Sequence, residues 1–296
     1  MTISMETPAW LDRASWPWSP RAFVIDGARL HYVDEGAGAP VVLVHGTPTW
    51  SFEWRHVVAG LRGAARVIAV DHLGFGLSDR PHGAGYRPED HAARFRRFID
   101  EVCPSGPLTL VVHDFGGPIA LDWALDHPDR LAHLVVVNSW MWPFDDDAAM
   151  RRSAQDRRRP ARPLAVPLGQ RLAAPDRAGR LRRPPPAPAI RSEYCRCSLT
   201  RIRATWVLFA LARSLLGSGA FFSRLWQRRD RLAGVDVPRL GHPRPGLLDS
   251  DARPPGNGSA LRPGPHGWAG HWPRRGGGGR VSAGRRVGRR GPPTRS

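Results

Sequence analysis

The sequence predicts an α/β fold with a mainly parallel sheet covered by helices on both faces. Three observations carry this. Four short apolar runs, Val41–Val44, Arg66–Val70, Leu108–Val112 and Leu131–Val137, lack the alternation of a half-exposed strand and read as buried strands. Segments with helical spacing separate them, as right-handed crossovers require. The loops that follow the runs are rich in glycine and polar residues, so the chemistry-bearing residues collect at the carboxyl ends of the strands.

Taken in order, Arg21–Ile25 and Arg29–Asp34 alternate in hydropathy around Asp26-Gly27, a hairpin turn signal. Val41–Val44 leads into the loop His45-Gly46-Thr47-Pro48, and Phe52–Leu61 has helical spacing. Arg66–Val70 leads into Asp71-His72-Leu73-Gly74-Phe75-Gly76-Leu77-Ser78. Pro88–Val102 is helical, with His91, Phe95, Phe98 and Ile99 near one face. Leu108–Val112 runs through His113 into Asp114-Phe115-Gly116-Gly117, and Gly117–Leu125 is helical behind it. Leu131–Val137 ends at Asn138-Ser139-Trp140-Met141-Trp142. His45, Asp71, Asp114 and Asn138 thus stand at the ends of four strands. Downstream, Thr205–Asp230 has the aliphatic and aromatic load of one or two helices broken at Gly217-Ser218-Gly219, which fits a helical lid.

Asp114 is the most informative residue. An apolar strand, a polar residue, a glycine pair and a helix form the pattern of a nucleophile elbow, whose usual occupant is serine. A carboxylate there would give only an anhydride with an acyl carbon. It can displace a leaving group from an alkyl carbon and form an ordinary ester. The structural alternatives for its neighbours are His113 packed beneath the elbow, His45 orienting its loop, and Asp71 fixing the glycine-rich loop.

The net charge of +18 conceals two different halves. Residues 1–150 hold 12 Arg and 19 Asp or Glu, a net of −7; residues 151–296 hold 32 Arg and 7 Asp or Glu, a net of +25. There is no lysine. Residues 151–191 and 237–296 are rich in Arg, Pro, Gly and Ala, the residues of GC-rich codons, and flank the ordinary Thr205–Val235 stretch. We read 151–204 and 237–296 as sequence with the composition of out-of-frame translation; a confirmed reading frame there would overturn this. The arginines form no helical stripe and carry no interleaved aromatic platform, which argues against specific nucleic-acid binding. The expected division is a core over 1–140, a helical lid over 141–235, and the remainder of the core over 236–296.

Met1–Pro20 lacks the basic and apolar stretches of a signal peptide, and no apolar run approaches the length of a membrane span. Three cysteines, Cys103, Cys195 and Cys197, give no disulfide framework, so a cytoplasmic setting is expected. Cys195-x-Cys197 has no second ligand pair, and no metal is expected.

His45-Gly46-Thr47-Pro48, Asp71 to Ser78 and His113-Asp114-Phe115-Gly116-Gly117, in this order, resemble the α/β-hydrolases, and among them the haloalkane dehalogenases and their epoxide hydrolase relatives. The resemblance implies an α/β-hydrolase fold with a helical lid and cleavage of small alkyl halides without a cofactor. Asp114 would be the nucleophile, and the N–H groups of Thr47 and Phe115 the oxyanion hole. Gly270-His271-Trp272-Pro273 matches the family's Gly-His-Trp-Pro pattern and implies His271 as base. Asp249, or Asp251 after it, is the candidate acid. Substrate and water would be the partners.

Two departures stand out. The family places a Trp after the nucleophile and commonly an Asn after His-Gly, as donors to the departing halide. This chain has Phe115 and Thr47. A donor would have to come from Trp50, Trp140, Trp142 or Trp206; the first three are candidate pocket residues. The alternatives are another hydrolase of the superfamily, such as an epoxide hydrolase, or an inactive product whose basic tail binds nucleic acid non-specifically. An epoxide hydrolase needs lid tyrosines to protonate the opening oxygen, and Tyr194 alone lies in the lid region.

Overall fold

The computed structural model describes residues 2–145, 202–237 and 239–240. Its strands are β1 (Thr2–Ser4), β2 (Arg21–Ile25), β3 (Ala28–Glu35), β4 (Pro40–Val44), β5 (Arg66–Val70), β6 (Leu108–His113), β7 (Leu131–Val137) and β8 (Arg239–Leu240). The helices are α1 (Arg55–Leu61), α2 (Pro88–Val102), α3 (Gly116–Ala124), α4 (Ile202–Gly217) and α5 (Gly219–Gln227). All these strands join one sheet in the order β1-β2-β3-β5-β4-β6-β7-β8. The first three are antiparallel, and β3 meets β5 antiparallel. From β5 through β4, β6 and β7 to β8 every pairing is parallel.

The buried runs behave as expected because both faces of the parallel strands are covered. Val42, Val44, Ile68 and Val70 join the core under α2 and α3, whereas Leu43, Val67 and Ala69 join a second core with Trp16, Trp50 and Phe52. In the first core Phe98 stacks edge-on against Phe23 and Tyr32, with ring centroids 5.8 and 5.2 Å away. The Asp26-Gly27 hairpin has φ of 49° and 73°, the left-handed pair that a two-residue turn between twisted strands demands. Phe52–Leu61 differs slightly from expectation: its first turn, Ser51–Trp54, is a 3₁₀ helix before α1 begins.

The Thr205–Asp230 stretch forms two helices that break at Ser218, one residue within the expected glycine-flanked break. Val207 and Leu211 face inward, and Phe222 packs 6.4 Å from the Trp140 ring. Trp206 is 68% exposed and Phe209 42%. An exposed indole cannot desolvate a leaving group, so Trp206 is removed from the candidate donors. Among the described residues no single helix is long and apolar enough to cross a membrane.

Asp71, at the carboxyl end of β5, is fully buried and ties three segments together. It accepts the N–H of Ser51 at 2.7 Å, the N–H of Leu77 at 2.8 Å, and His31 Nδ1 at 2.8 Å. Burial pushes its carboxyl upward, but the His31 imidazole and the other donors outweigh that and hold it below its ordinary value. Asp71→Asn puts an amide NH₂ among donors and leaves His31 without its anion. Unfolding by urea should show a loss of about 3–5 kcal/mol; a loss under about 1 kcal/mol would contradict this account.

Candidate active site

Asp114 sits between β6 and α3 with φ 49°, a left-handed conformation rare for a residue with a side chain. Its backbone is held on both sides. Its carbonyl accepts Ser139 Oγ–H at 2.7 Å and the Gly117 N–H at 3.1 Å. Two glycines make this packing possible. A Cβ on Gly46 would stand 2.2 Å from Asp114 Cβ, and one on Gly116 would stand 2.5 Å from the Val44 carbonyl oxygen. The loop after β4 and the start of α3 therefore close around the elbow at van der Waals distance only without side chains.

The Asp114 side chain is 9% exposed. Its Oδ1 accepts the Thr47 N–H at 2.9 Å and Thr47 Oγ–H at 3.1 Å. Burial raises its pKa above the ordinary value; the Thr47 N–H, His113, the Phe115 N–H and the Thr47 hydroxyl oppose that rise. Thus the two expected oxyanion-hole donors, on Thr47 and Phe115, both act on this carboxylate.

His45 explains how Thr47 is aimed. Its Nδ1 lies 2.8 Å from the Gly46 carbonyl oxygen, and its Nε2 lies 3.0 Å from the His72 N–H. One partner only accepts and the other only donates, which fixes the tautomer and the bend of the loop. His72 Nε2 returns to the His45 carbonyl at 3.1 Å. His45 is thus a loop-orienting residue.

Of the tryptophans, Trp140 packs edge-on against Phe115 with ring centroids 4.9 Å apart. The indole N–H groups of Trp140 and Trp142 are buried and find no hydrogen-bond partner among the described residues. Trp50 is elsewhere: it stacks on Phe52 at 5.3 Å and meets Trp16 at 5.3 Å, in the second core. Tyr32 and Tyr86 are also committed, to Thr2 Oγ1 and the Pro81 carbonyl. His271, Asp249, Asp251 and Tyr194 lie outside the described residues.

Three side chains around the site were not singled out as its parts by sequence reasoning. Glu53 places both carboxylate oxygens 3.3 Å from His113 Nδ1. His31 anchors Asp71, and His91 packs 5.4 Å from His72. The available signal was a carboxylate between Phe52 and Trp54, in a stretch otherwise destined for the core.

Residues 39–179 match the family described as alpha/beta hydrolase fold. With five parallel strands, the elbow between β6 and α3 and this match, the fold is decided. It is an α/β-hydrolase fold. The chain is 42% identical to haloalkane dehalogenase 2 of Mycobacterium tuberculosis, over 45% of this chain and 46% of that protein. It is 40% identical to a cis-3-alkyl-4-alkyloxetan-2-one decarboxylase of Shewanella oneidensis, over 41% of this chain and 39% of the relative. The chain therefore spans about half the length of the curated relatives it matches. Among solved structures, a point mutant of a haloalkane dehalogenase from Agrobacterium tumefaciens is 26% identical with a TM-score of 0.61, over 77% of this chain and 80% of that one.

His45, His72 and His91 pack together as a cluster with a pH signature. Burial first, then His45 and His91, push His72 well below 6.5. Burial and the nearby Arg94 lower His91 to about 3. Both imidazoles stay neutral in the fold while the unfolded chain protonates near 6.5. Their contribution is complete above that value and is lost as pH falls toward the folded values. The urea midpoint should fall between about pH 6.5 and pH 4, and His91→Phe should flatten that fall by up to about 1.4 kcal/mol per pH unit. Equal slopes in both proteins would refute the assignment.

Proposed function

We propose that this chain carries the catalytic elbow of a hydrolase of haloalkane dehalogenase type, acting on small apolar alkyl halides. The observation that carries the reading is the Thr47 N–H, 2.9 Å from Oδ1 of a buried elbow carboxylate. In this chemistry the oxyanion forms on the nucleophile's own carboxyl group. A donor already on Asp114 Oδ1 is where that charge develops.

Asp114 attacks the carbon bearing halogen, the carbon–halogen bond breaks, and an alkyl ester forms. His271, oriented by Asp249, takes a proton from water. The water attacks the Asp114 carboxyl carbon, and the N–H groups of Thr47 and Phe115 hold the oxyanion. Collapse releases the alcohol and restores the carboxylate. Alkyl halide and water give alcohol, halide and a proton. No cofactor enters, and the setting is cytoplasmic. Trp140 is the candidate halide donor, because its buried N–H has no partner among the described residues and its ring lies on Phe115. The committed tyrosine hydroxyls do not favour an epoxide hydrolase.

A second reading is favoured by Phe115, whose side chain offers a departing halide no donor. Two relatives, 40% and 37% identical, are named oxetan-2-one decarboxylases. Attack of Asp114 on the ring carbon bonded to oxygen would break that carbon–oxygen bond and free a tethered carboxylate. Loss of CO₂ would then expel Asp114 and leave an alkene. That leaving group never separates as a bare ion.

One experiment divides these readings. The purified chain is given 1-bromobutane or a cis-3,4-dialkyl-oxetan-2-one, and bromide, protons and CO₂ are followed. The first reading expects stoichiometric bromide and protons, a loss of about 10³-fold or more in Asp114→Ala, and an alkyl ester seen by intact mass in His271→Phe. CO₂ and alkene without bromide would favour the second. Undiminished turnover in Asp114→Ala would eliminate both.

A further inference from the structure

The carboxylate of Glu53 has no part in the reaction just described, yet it is deeply buried. Its side chain is 7% exposed, and that of His113 is 16% exposed. The arrangement follows from β6. Leu108, Leu110 and Val112 are buried in the first core, so the alternate residues Thr109, Val111 and His113 occupy the opposite face. There the 3₁₀ turn Ser51–Trp54 lies over the strand end. Glu53 approaches His113 Nδ1 with both oxygens at 3.3 Å. Thr49 Oγ–H donates to Glu53 Oε2 at 2.5 Å, and the Trp54 ring meets the imidazole edge-on at 6.4 Å. The next residue along the chain is Asp114. The titratable groups acting on His113 are thus Glu53, from the turn after β4, and Asp114, from its own strand end; Thr49 and Trp54 complete the surroundings without charge.

A carboxylate this deeply buried needs donors, and the Thr49 hydroxyl and the His113 imidazole are placed to serve it, the imidazole alone being able to bring a charge. A second carboxylate follows within one residue. Two carboxylates acting on one imidazole favour the doubly protonated ring, and the ring in turn favours the anion of Asp114.

We propose that Glu53 and His113 are a positioning pair that keeps an imidazolium next to the nucleophile, so that Asp114 stays ionised in its buried elbow. This rests on the reading of Asp114 as nucleophile. Burial pushes His113 down, but Glu53 and then Asp114 hold it above its ordinary value of 6.5. The same charge opposes the rise that burial imposes on Asp114. The coupling is reciprocal: alkylation removes the charge of Asp114 and loosens the proton on His113, and hydrolysis restores both.

The test uses the full chain labelled with ¹⁵N, with imidazole resonances followed through a pH titration. The His113 signal is identified by its loss in His113→Asn. In the wild type its midpoint should lie above 6.5. Glu53→Gln should bring the midpoint down past that value, because burial then dominates. Asp114→Asn, which imitates the neutral ester, should lower it by less. A midpoint below 6.5 in the wild type, or one unmoved by Glu53→Gln, overturns the pair. Should Glu53→Gln fail to fold, an unmoved midpoint in Asp114→Asn overturns it equally. In the active enzyme, the acidic limb of ester formation should move to higher pH in Glu53→Gln. A purely structural Glu53 would lower stability and leave that limb in place, which also overturns the proposal. The titration needs no substrate, so a failure of the dehalogenase reading shows as absent turnover with the His113 midpoint still high.

Discussion

The fold hangs on one buried anion that ties three segments together. Asp71 brings a full charge to the end of β5 and meets it with His31 from β3 and two backbone N–H groups from separate loops. Ionised carboxylates are excluded from protein interiors unless donors surround them, so this one selects an arrangement in which all three segments converge. Ser51 closes the loop that begins at His45, and Leu77 closes the glycine-rich turn after β5. The ends of β4 and β5 are therefore fixed relative to each other, and the Thr47 N–H inherits its direction from that fixity.

The architecture was readable because periodicity is local. Arg66–Val70, Pro88–Val102 and Leu131–Val137 have the boundaries expected from apolar runs and helical spacing. Thr2–Ser4 was not legible: three residues carry no period, and the strand exists only because β2 offers it an edge. The elbow was legible because a left-handed residue between a strand and close-packed glycines leaves a motif. Glu53 was not, because its partner His113 lies 60 positions away and nothing within Ser51–Trp54 specifies that pairing. Trp50 misled for the opposite reason. Its proximity to Thr47 in the chain suggested the pocket, whereas the ring stacks on Phe52 and Trp16 in the second core, its N–H buried without a partner among the described residues.

Two populations of histidine coexist within this one strand-end region. His72 and His91 are surrounded by other imidazoles, by Arg94 and by apolar rings, and are kept neutral. His113 is acted on by two carboxylates, which hold its pKa above the ordinary value against the effect of burial. Residue type is constant while its neighbours decide its role. One set supports backbone geometry through the His45 and His72 hydrogen bonds, and the other supplies electrostatic potential to Asp114.

The Thr47 contact also bears on substrates that the site refuses. In an α/β-hydrolase with a serine elbow, the oxyanion hole stands open for a carbonyl brought by the substrate. Here the Thr47 N–H and hydroxyl are engaged with the protein's own side chain. A foreign ester carbonyl would have to compete with a tethered anion for the same donors, and it is neutral until attacked. On the proposed reading of Asp114, the side chain that would attack an alkyl carbon also occupies the donors that acyl transfer would need. A single carboxylate in the elbow would thus both redirect the chemistry and compete for the donors that a serine would leave open.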